Sequence, residues 1–235
     1  MIKVLFTEAR KHEAAIIFID EIDSLCSARS ENENESTRRV KTEFLVQMEG
    51  LSNKGGKLLV LGATNIPWGL DQAVKRRFEK RIYIPLPDPA ARLYMLKKKI
   101  EDVPYQINEH EFDELAKLSD NYSGSDIEVL CKDAAMEPLR FAQKTNKFQK
   151  LMNGKYLPVS PQTPADGYNV IQTSVYDLPD NSLELPPISL NDFKISMTRS
   201  KCSVSKDDLK EFEDWTFRAS HTDLEVVQRY WWQFE

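Results

Sequence analysis

The chain has 235 residues, 41% of them hydrophobic and 29% charged, which gives a globular composition with apolar material for one large or two small cores and excludes disorder throughout. A net charge of -5 with both signs interspersed excludes a general electrostatic footprint for nucleic acid or membrane surfaces. No apolar run reaches membrane-spanning length and no basic-then-apolar leader opens the chain, so the expectation is a soluble, intracellular protein. Cys26, Cys131 and Cys202 are odd in number and far apart, which predicts buried free thiols rather than a disulfide framework or a zinc site.

In chain order, Ile2, Leu5, Phe6 and Ala9 fall on one helical face. No capping residue precedes that helix, so we expect the chain to begin inside an element, as a truncated domain would. Ala15 to Ile19 is a continuous apolar run that predicts a strand buried on both faces of a parallel sheet. It ends in Asp20-Glu21, at the carboxyl end of the strand, where ligands of such sheets sit. Paired carboxylates there suit phosphoryl transfer, one to hold Mg²⁺ and one to orient water. The same residues also describe a core strand running into a polar turn.

Ser27 to Ser36 reads as a polar surface loop, and Val40, Phe44 and Met48 mark a helix that Gly50 can end. Leu58 to Leu61 is a second buried strand with Asn65 just past its end. Leu70 to Phe78 is a short helical piece carrying Lys75, Arg76 and Arg77, and Arg81 to Ile84 is a third strand closed by Pro85 and Pro87. Pro89 opens a helix running to Ile100 that buries Ala90, Leu93 and Leu96. Beyond about residue 104 strands are expected to stop. Phe112, Leu115 and Leu118 mark one helix and Ile127 to Gln143 a longer one, with a cap at Ser125 or Asp126.

From Lys150 to Pro187, six prolines punctuate β-prone runs at Tyr168 to Ile171 and Thr173 to Tyr176, predicting a hairpin-like insertion, with a linker as the alternative. Leu190, Phe193 and Met197 resume the helical pattern. Ser205 with Asp208 resembles a capping box for a helix bearing Leu209, Phe212 and Trp215. Leu224, Val227, Trp231 and Phe234 fall on one face of a further predicted helix.

The constellation Ile16 to Leu25, Gly62-Ala63-Thr64-Asn65 and Arg76-Arg77-Phe78-Glu79, in that order and spacing, resembles the AAA family of ATPases. Within it, Arg38 to Met48, Ile66-Pro67-Trp68, Phe78 to Pro87, Gly124-Ser125-Asp126-Ile127 and Leu178-Pro179-Asp180 resemble the vacuolar protein sorting-associated protein 4 family, which disassembles ESCRT-III filaments. The resemblance runs to Trp215. It implies a P-loop-NTPase-type α/β fold, a partial parallel sheet with helices, over residues 1–102. A helical small subdomain over 103–149 and 188–217 would carry a β insertion over 150–187, with a divergent tail at 218–235.

The resemblance assigns Asp20 to Mg²⁺, Glu21 to the base that polarises water, and Asn65 to the sensor of the γ-phosphate. It assigns Arg76 and Arg77 to arginine fingers acting on a neighbour's ATP. Gly124, Ser125 and Asp126 correspond to the segment near adenine and ribose. Arg29 to Arg38 corresponds to a second pore loop in a hexameric ring, or else is an ordinary exposed loop. The β insertion would bind an activator protein and separates this family from microtubule-severing relatives of the katanin and spastin type. The implied setting is cytoplasmic, with recruitment to endosomal membranes only through partners and no nucleic acid.

One departure stands out: the chain contains no G-x-x-x-x-G-K-[ST] phosphate cradle, since Gly55-Gly56-Lys57 is followed by Leu58. The expectation is therefore a piece of an ATP-driven remodeller whose intact parent hydrolyses ATP, while these 235 residues alone bind ATP and Mg²⁺ weakly and turn nothing over. The alternative is a catalytically inactive binding module or a microtubule-severing AAA relative of the katanin or spastin type.

Overall fold

The structure is a computed structural model, and it describes residues 1–27, 35–50, 57–78, 80–164, 169–219 and 224–226. Contacts divide these into two units, Met1–Tyr83 with Phe212–Val226, and Ile84–Glu211.

In the first unit, α1 (Ile2–Ala9) buries Ile2 and Phe6. It leads into β1 (Ala14–Ile19) and a short helix, α2 (Ile22–Cys26). The 15-residue α3 (Glu35–Glu49) buries Phe44 and Met48 on one face, as its periodicity predicts. It starts at Glu35, inside the stretch read as loop. Phe6 and Phe44 meet edge to face, with ring centroids 6.0 Å apart.

β2 (Lys57–Gly62) pairs with β1 in parallel, Ala14 opposite Lys57 through Ile19 opposite Gly62. α4 (Gln72–Arg77) is capped by the Asp71 carboxylate, which accepts from Ala73 N at 2.7 Å. β3 (Arg81–Tyr83) closes this part of the chain.

The expectation of a strand buried on both faces is corrected. Ile17 is buried, but Ile16 and Phe18 are 67% and 64% exposed, because α1, α2 and α3 supply an apolar layer to one face of the β1–β2 pair. Lys41 is almost fully buried and was not anticipated; its ammonium donates to the Ser27 carbonyl at 2.6 Å.

In the second unit, α5 (Pro89–Lys99) has Asp88 as N-cap and proline at its first position. Ala90 is exposed rather than buried, and Arg92 takes the interior place instead. The Arg92 guanidinium donates to the carbonyls of Ala116 (3.0 Å) and Pro87 (2.8 Å), which is what makes a buried cation tolerable there.

Strands do not stop at 104: β4 (Tyr105–Gln106) pairs in parallel with a segment far along the chain, described below. α6 (Glu109–Leu118) carries an Asn108–Glu111 capping box. Leu118, predicted as core, is exposed, and Ala116 takes the buried position. α7 (Gly124–Lys144) is the longest helix among the described residues and contains Pro138.

β5 (Lys147–Lys150), β6 (Tyr156–Pro158) and β7 (Val170–Gln172) form a three-stranded antiparallel sheet in the order β6-β5-β7. Its first strand starts before the stretch read as the insertion. Val175–Asp177 is a 3₁₀ turn rather than a strand, capped by the Ser174 hydroxyl. β8 (Ile188–Ser189) is the partner of β4 and runs directly into α8 (Leu190–Arg199).

The core is made by Leu96, Ile100, Phe112, Leu115, Ile127, Leu130 and Phe193, all essentially without exposure. Cys131 is buried and its thiol is pushed up to about 12 by that burial. Cys202 is exposed, against the expectation of three buried thiols.

α9 (Lys206–Ala219) begins with the predicted box: Asp208 N donates to Ser205 Oγ at 3.1 Å and Ser205 N to Asp208 at 3.0 Å. Its Phe212 belongs to the first unit, edge-on to Trp68 with centroids 5.0 Å apart. β9 (Leu224–Val226) pairs in parallel with β3, Ile82 opposite Glu225. This corrects the predicted helix at Leu224, since backbone pairing to an open strand edge overrides an i, i+3 pattern in a short segment. The rest of that predicted helix lies outside the described residues.

Candidate functional site

The parallel register places the ends of β1 and β2 level, so Asp20 and Ala63 leave their strands side by side. The ladder continues one step past both strands. Ala63 N donates to Ile19 O (2.9 Å) and Ile22 N donates to Ala63 O (3.0 Å). The two loops therefore share a hydrogen-bonded base.

Asp20 is exposed, and its Oδ1 accepts from the Glu21 amide at 2.9 Å. That bond turns the chain sharply out of the strand. Glu21 is left-handed, with φ 47° and ψ 47°, and stands as N-cap of α2. The other positive-φ residues that are not glycine, among those described, are all asparagines. Holding a glutamate there costs about 1 kcal/mol, an outlay typical of backbone at functional positions. Glu21 is exposed and its side chain accepts no hydrogen bond from the described residues.

Asn65 is exposed in the loop after β2. Beside it, the Thr64 hydroxyl donates to Asp23 of α2 at 2.5 Å and accepts from Ile66 N at 3.0 Å. Gly62, the last residue of β2, closes the strand against α2. A Cβ there would stand 2.9 Å from Ile22 Cδ1 and 3.3 Å from Phe78 Cζ.

Arg76 and Arg77 lie in the last turn of α4, where their charge suits the negative end of the helix. The two differ. Arg76 is exposed and makes no hydrogen bond or ion pair with the described residues. Arg77 is half-buried and loosely held by the Ala73 carbonyl (3.4 Å) and Glu49 (3.5 Å). Neither bonds to Asp20, Glu21 or Asn65. Lys75 turns inward to the Trp68 carbonyl at 2.9 Å, and burial lowers the pKa of its ammonium.

Gly124, Ser125 and Asp126 form the first turn of α7, in the second unit. The cap, expected at Ser125 or Asp126, is Ser123. Its hydroxyl accepts from Asp126 N (3.1 Å), while Asp126 accepts from Ser123 N (2.9 Å), completing a capping box. Asp126 also accepts from Ser203 N (3.2 Å) and Ser203 Oγ (3.0 Å). Burial opposes its charge, but the Ser123 and Ser203 donors outweigh it and hold the carboxyl below the usual range. Ser125 is exposed, and a Cβ at Gly124 would be in ordinary contact with Met95.

Of the stretch matched to a pore loop, 35–38 are the first turn of α3 and 29–34 lie outside the described residues.

Among the described residues no cluster of three or more His, Cys, Asp or Glu could cage a metal. A single exposed carboxylate, Asp20, with one oxygen already fixed by an amide, does fit Mg²⁺, which keeps waters and phosphate oxygens as most of its ligands. Sequence reasoning assigned no role to Thr64 and Asp23. Their signal was position, one residue before Asn65 and two after Glu21.

Comparison with known proteins agrees with this architecture. Residues 1–86 match the model of the ATPase family associated with various cellular activities (AAA), 109–153 that of the AAA+ lid domain, and 156–218 that of the Vps4 C terminal oligomerisation domain. Vacuolar protein sorting-associated protein 4B of Pongo abelii is 44% identical over 92% of this chain and 50% of its own length. Protein SUPPRESSOR OF K(+) TRANSPORT GROWTH DEFECT 1 of Arabidopsis thaliana gives the same identity and coverage. A crystal structure of the FIGL-1 AAA domain superposes with a TM-score of 0.73 at 31% identity, covering 94% of this chain and 62% of that one. The chain spans about half the length of the curated relatives it matches. With an AAA match on its first part, a Vps4 C-terminal match on its last and this identity across most of its length, the chain belongs to the Vps4 family of AAA ATPases.

Proposed function

We propose that this chain is the hydrolytic and oligomerising half of an ATP-driven remodeller that takes apart ESCRT-III polymers in endosomal and multivesicular-body sorting. The observation that carries the reading is the level pair of strand ends, which sets Asp20, Glu21 and Asn65 on two loops with a common hydrogen-bonded base. The relatives' names supply the vacuolar sorting context, and the match to an oligomerisation domain supports a ring, which we take as a hexamer.

In this reading Asp20 holds Mg²⁺, which when bound supplies charge neutralisation to the β- and γ-phosphates of ATP. Glu21, whose side chain has no partner among the described residues and which its left-handed backbone pushes out of the strand, accepts the proton of the attacking water and orients it. The Asn65 amide offers a donor to phosphate and an acceptor to water. Arg76, exposed and without a partner among the described residues, reaches across to a neighbouring subunit's phosphate. Fingers of this kind contribute roughly 10³ to 10⁵ in rate. Arg77, partly engaged within its own unit, acts as the second finger.

Gly124 to Asp126 lie near adenine and ribose, with Asp126 shaping the turn. We assign 1–102 to the large ATPase subdomain, 103–149 and 188–217 to the helical subdomain, and 150–187 to an activator-binding insertion. The setting is cytoplasmic, with endosomal recruitment through partners.

The test joins the N-terminal half of the Pongo abelii relative, ahead of its matched region, to this chain. The fusion should hydrolyse ATP and disassemble ESCRT-III polymers. Glu21→Gln should keep nucleotide binding and lose turnover by at least about 10², and Arg76→Ala should do the same. Loss of binding in both variants, or full activity in either, would overturn the assigned roles. The 235 residues alone, without the phosphate cradle, should show no measurable turnover.

A further inference from the structure

We infer that Thr64 and Asp23 are positioning residues that hold Asn65 in register with Glu21, an assignment that rests on the hydrolytic reading above. The backbone bonds that join the two loops both converge on Ala63. Asn65 lies two residues beyond that anchor, so the ladder by itself leaves its turn free to swing. The Thr64 hydroxyl closes the gap with both of its valences. It accepts from Ile66 N (3.0 Å), wrapping the chain around Asn65, and donates to Asp23 Oδ1 (2.5 Å), pinning that turn to α2.

Asp23 is two residues past Glu21, in the first turn of the helix that Glu21 caps. The acid that meets water and the amide that meets phosphate are thereby referred to one short rigid element. Among the described residues, no other side-chain to side-chain hydrogen bond links the two loops. Both residues are half-buried, which shelters the bond from competing water. A merely structural role for Asp23, as an acidic residue favourable at the start of α2, would leave the Asn65 loop indifferent to it.

Displacement of a catalytic group by about 1 Å costs about 10² in rate, so a link of this kind governs kcat far more than binding. In the fusion, Thr64→Val keeps the shape and loses both bonds. Its kcat should fall by about 10- to 100-fold with KM within about threefold, and Thr64→Ser should recover activity to within about threefold.

On the 235-residue chain, amide hydrogen exchange supplies an independent readout. Asp23→Ala should speed exchange at Ile66, in the other loop, by about tenfold, and Asp23→Asn, which keeps an acceptor, should not. Exchange at Leu59 to Leu61 should stay constant in every variant. Unchanged Ile66 exchange in Asp23→Ala, or a wild-type kcat in Thr64→Val, overturns the inference. A fusion that fails to hydrolyse ATP in its unmutated form counts against the function proposed above, and the exchange experiment then decides the coupling by itself.

Discussion

The two units bury their apolar residues in opposite styles. In the second, helices α5 to α8 pack around a shared core, and Leu130 has no exposure. In the first, one face of the β1–β2 pair is layered by helices while Ile16, Phe18 and Leu59 stand more than half exposed on the other. Side-chain polarity follows the same division. Asp133, Glu137 and Arg140 of α7 and Arg199 of α8 form a charge network in the second unit, where Arg140 meets Asp133 at 2.7 Å and both arginines contact Glu137. In the first unit the candidate site's carboxylates face solvent with few partners. Stability and reactivity are thus assigned to different places: charges are neutralised where packing must hold, and have few partners among the described residues where a ligand would be met.

That contrast can be broken first at Leu130. Leu130→Ala should cost about 3 kcal/mol of second-unit stability, read by urea unfolding with amide exchange, whereas Ile16→Thr should stay within about 0.5 kcal/mol. Equal costs would mean that the sheet face is covered in solution.

Glu137 is the next lever. Arg199, ahead of the opposing effect of burial and with help from Arg140, holds its carboxyl below the usual range. Because the folded-state value is depressed, the stabilisation is present above the unfolded value of 4.5 and is lost as pH falls through the folded one. Glu137→Gln should cost about 2 kcal/mol at pH 7, less than the 3–5 of a fully dry pair because both guanidiniums keep a third or more of their side-chain surface in water. The gap between variant and wild type should close below pH 4.5, and a gap constant with pH would show that the charge is immaterial.

The smallest effect is Asp126→Ala, about 1 kcal/mol for the lost capping box, seen as faster exchange in the first turn of α7.

Much of the fold was legible because it is local. Phe44 and Met48, or Phe112 and Leu115, repeat within a helical turn or two, and Ser205 with Asp208 needs no distant partner to be recognised. What was missed depends on remote chain. The two-residue strands β4 and β8 exist only as a pair, and Leu224 became a strand because β3 offered it an edge. No pattern in the sequence pointed to Arg92 or Lys41, yet each is buried to serve remote carbonyls, Ala116 in the last turn of α6 and Ser27 after α2. At the candidate site, the acids and the amide could be named from their motifs. Their common base could not, since it follows from a register that no single stretch contains.

Gly62 carries a consequence of another kind. A Cβ there would meet side chains only, Ile22 Cδ1 at 2.9 Å, Phe78 Cζ at 3.3 Å and Ile22 Cγ2 at 3.4 Å, so apolar groups close over bare backbone at the strand end. The absent carbon leaves room for side chains that pack beneath the two loops, whose spacing the ladder sets. An alanine there would have to displace the Ile22 and Phe78 side chains rather than backbone, so its cost would fall on the apolar packing under the loops while every polar residue kept its identity.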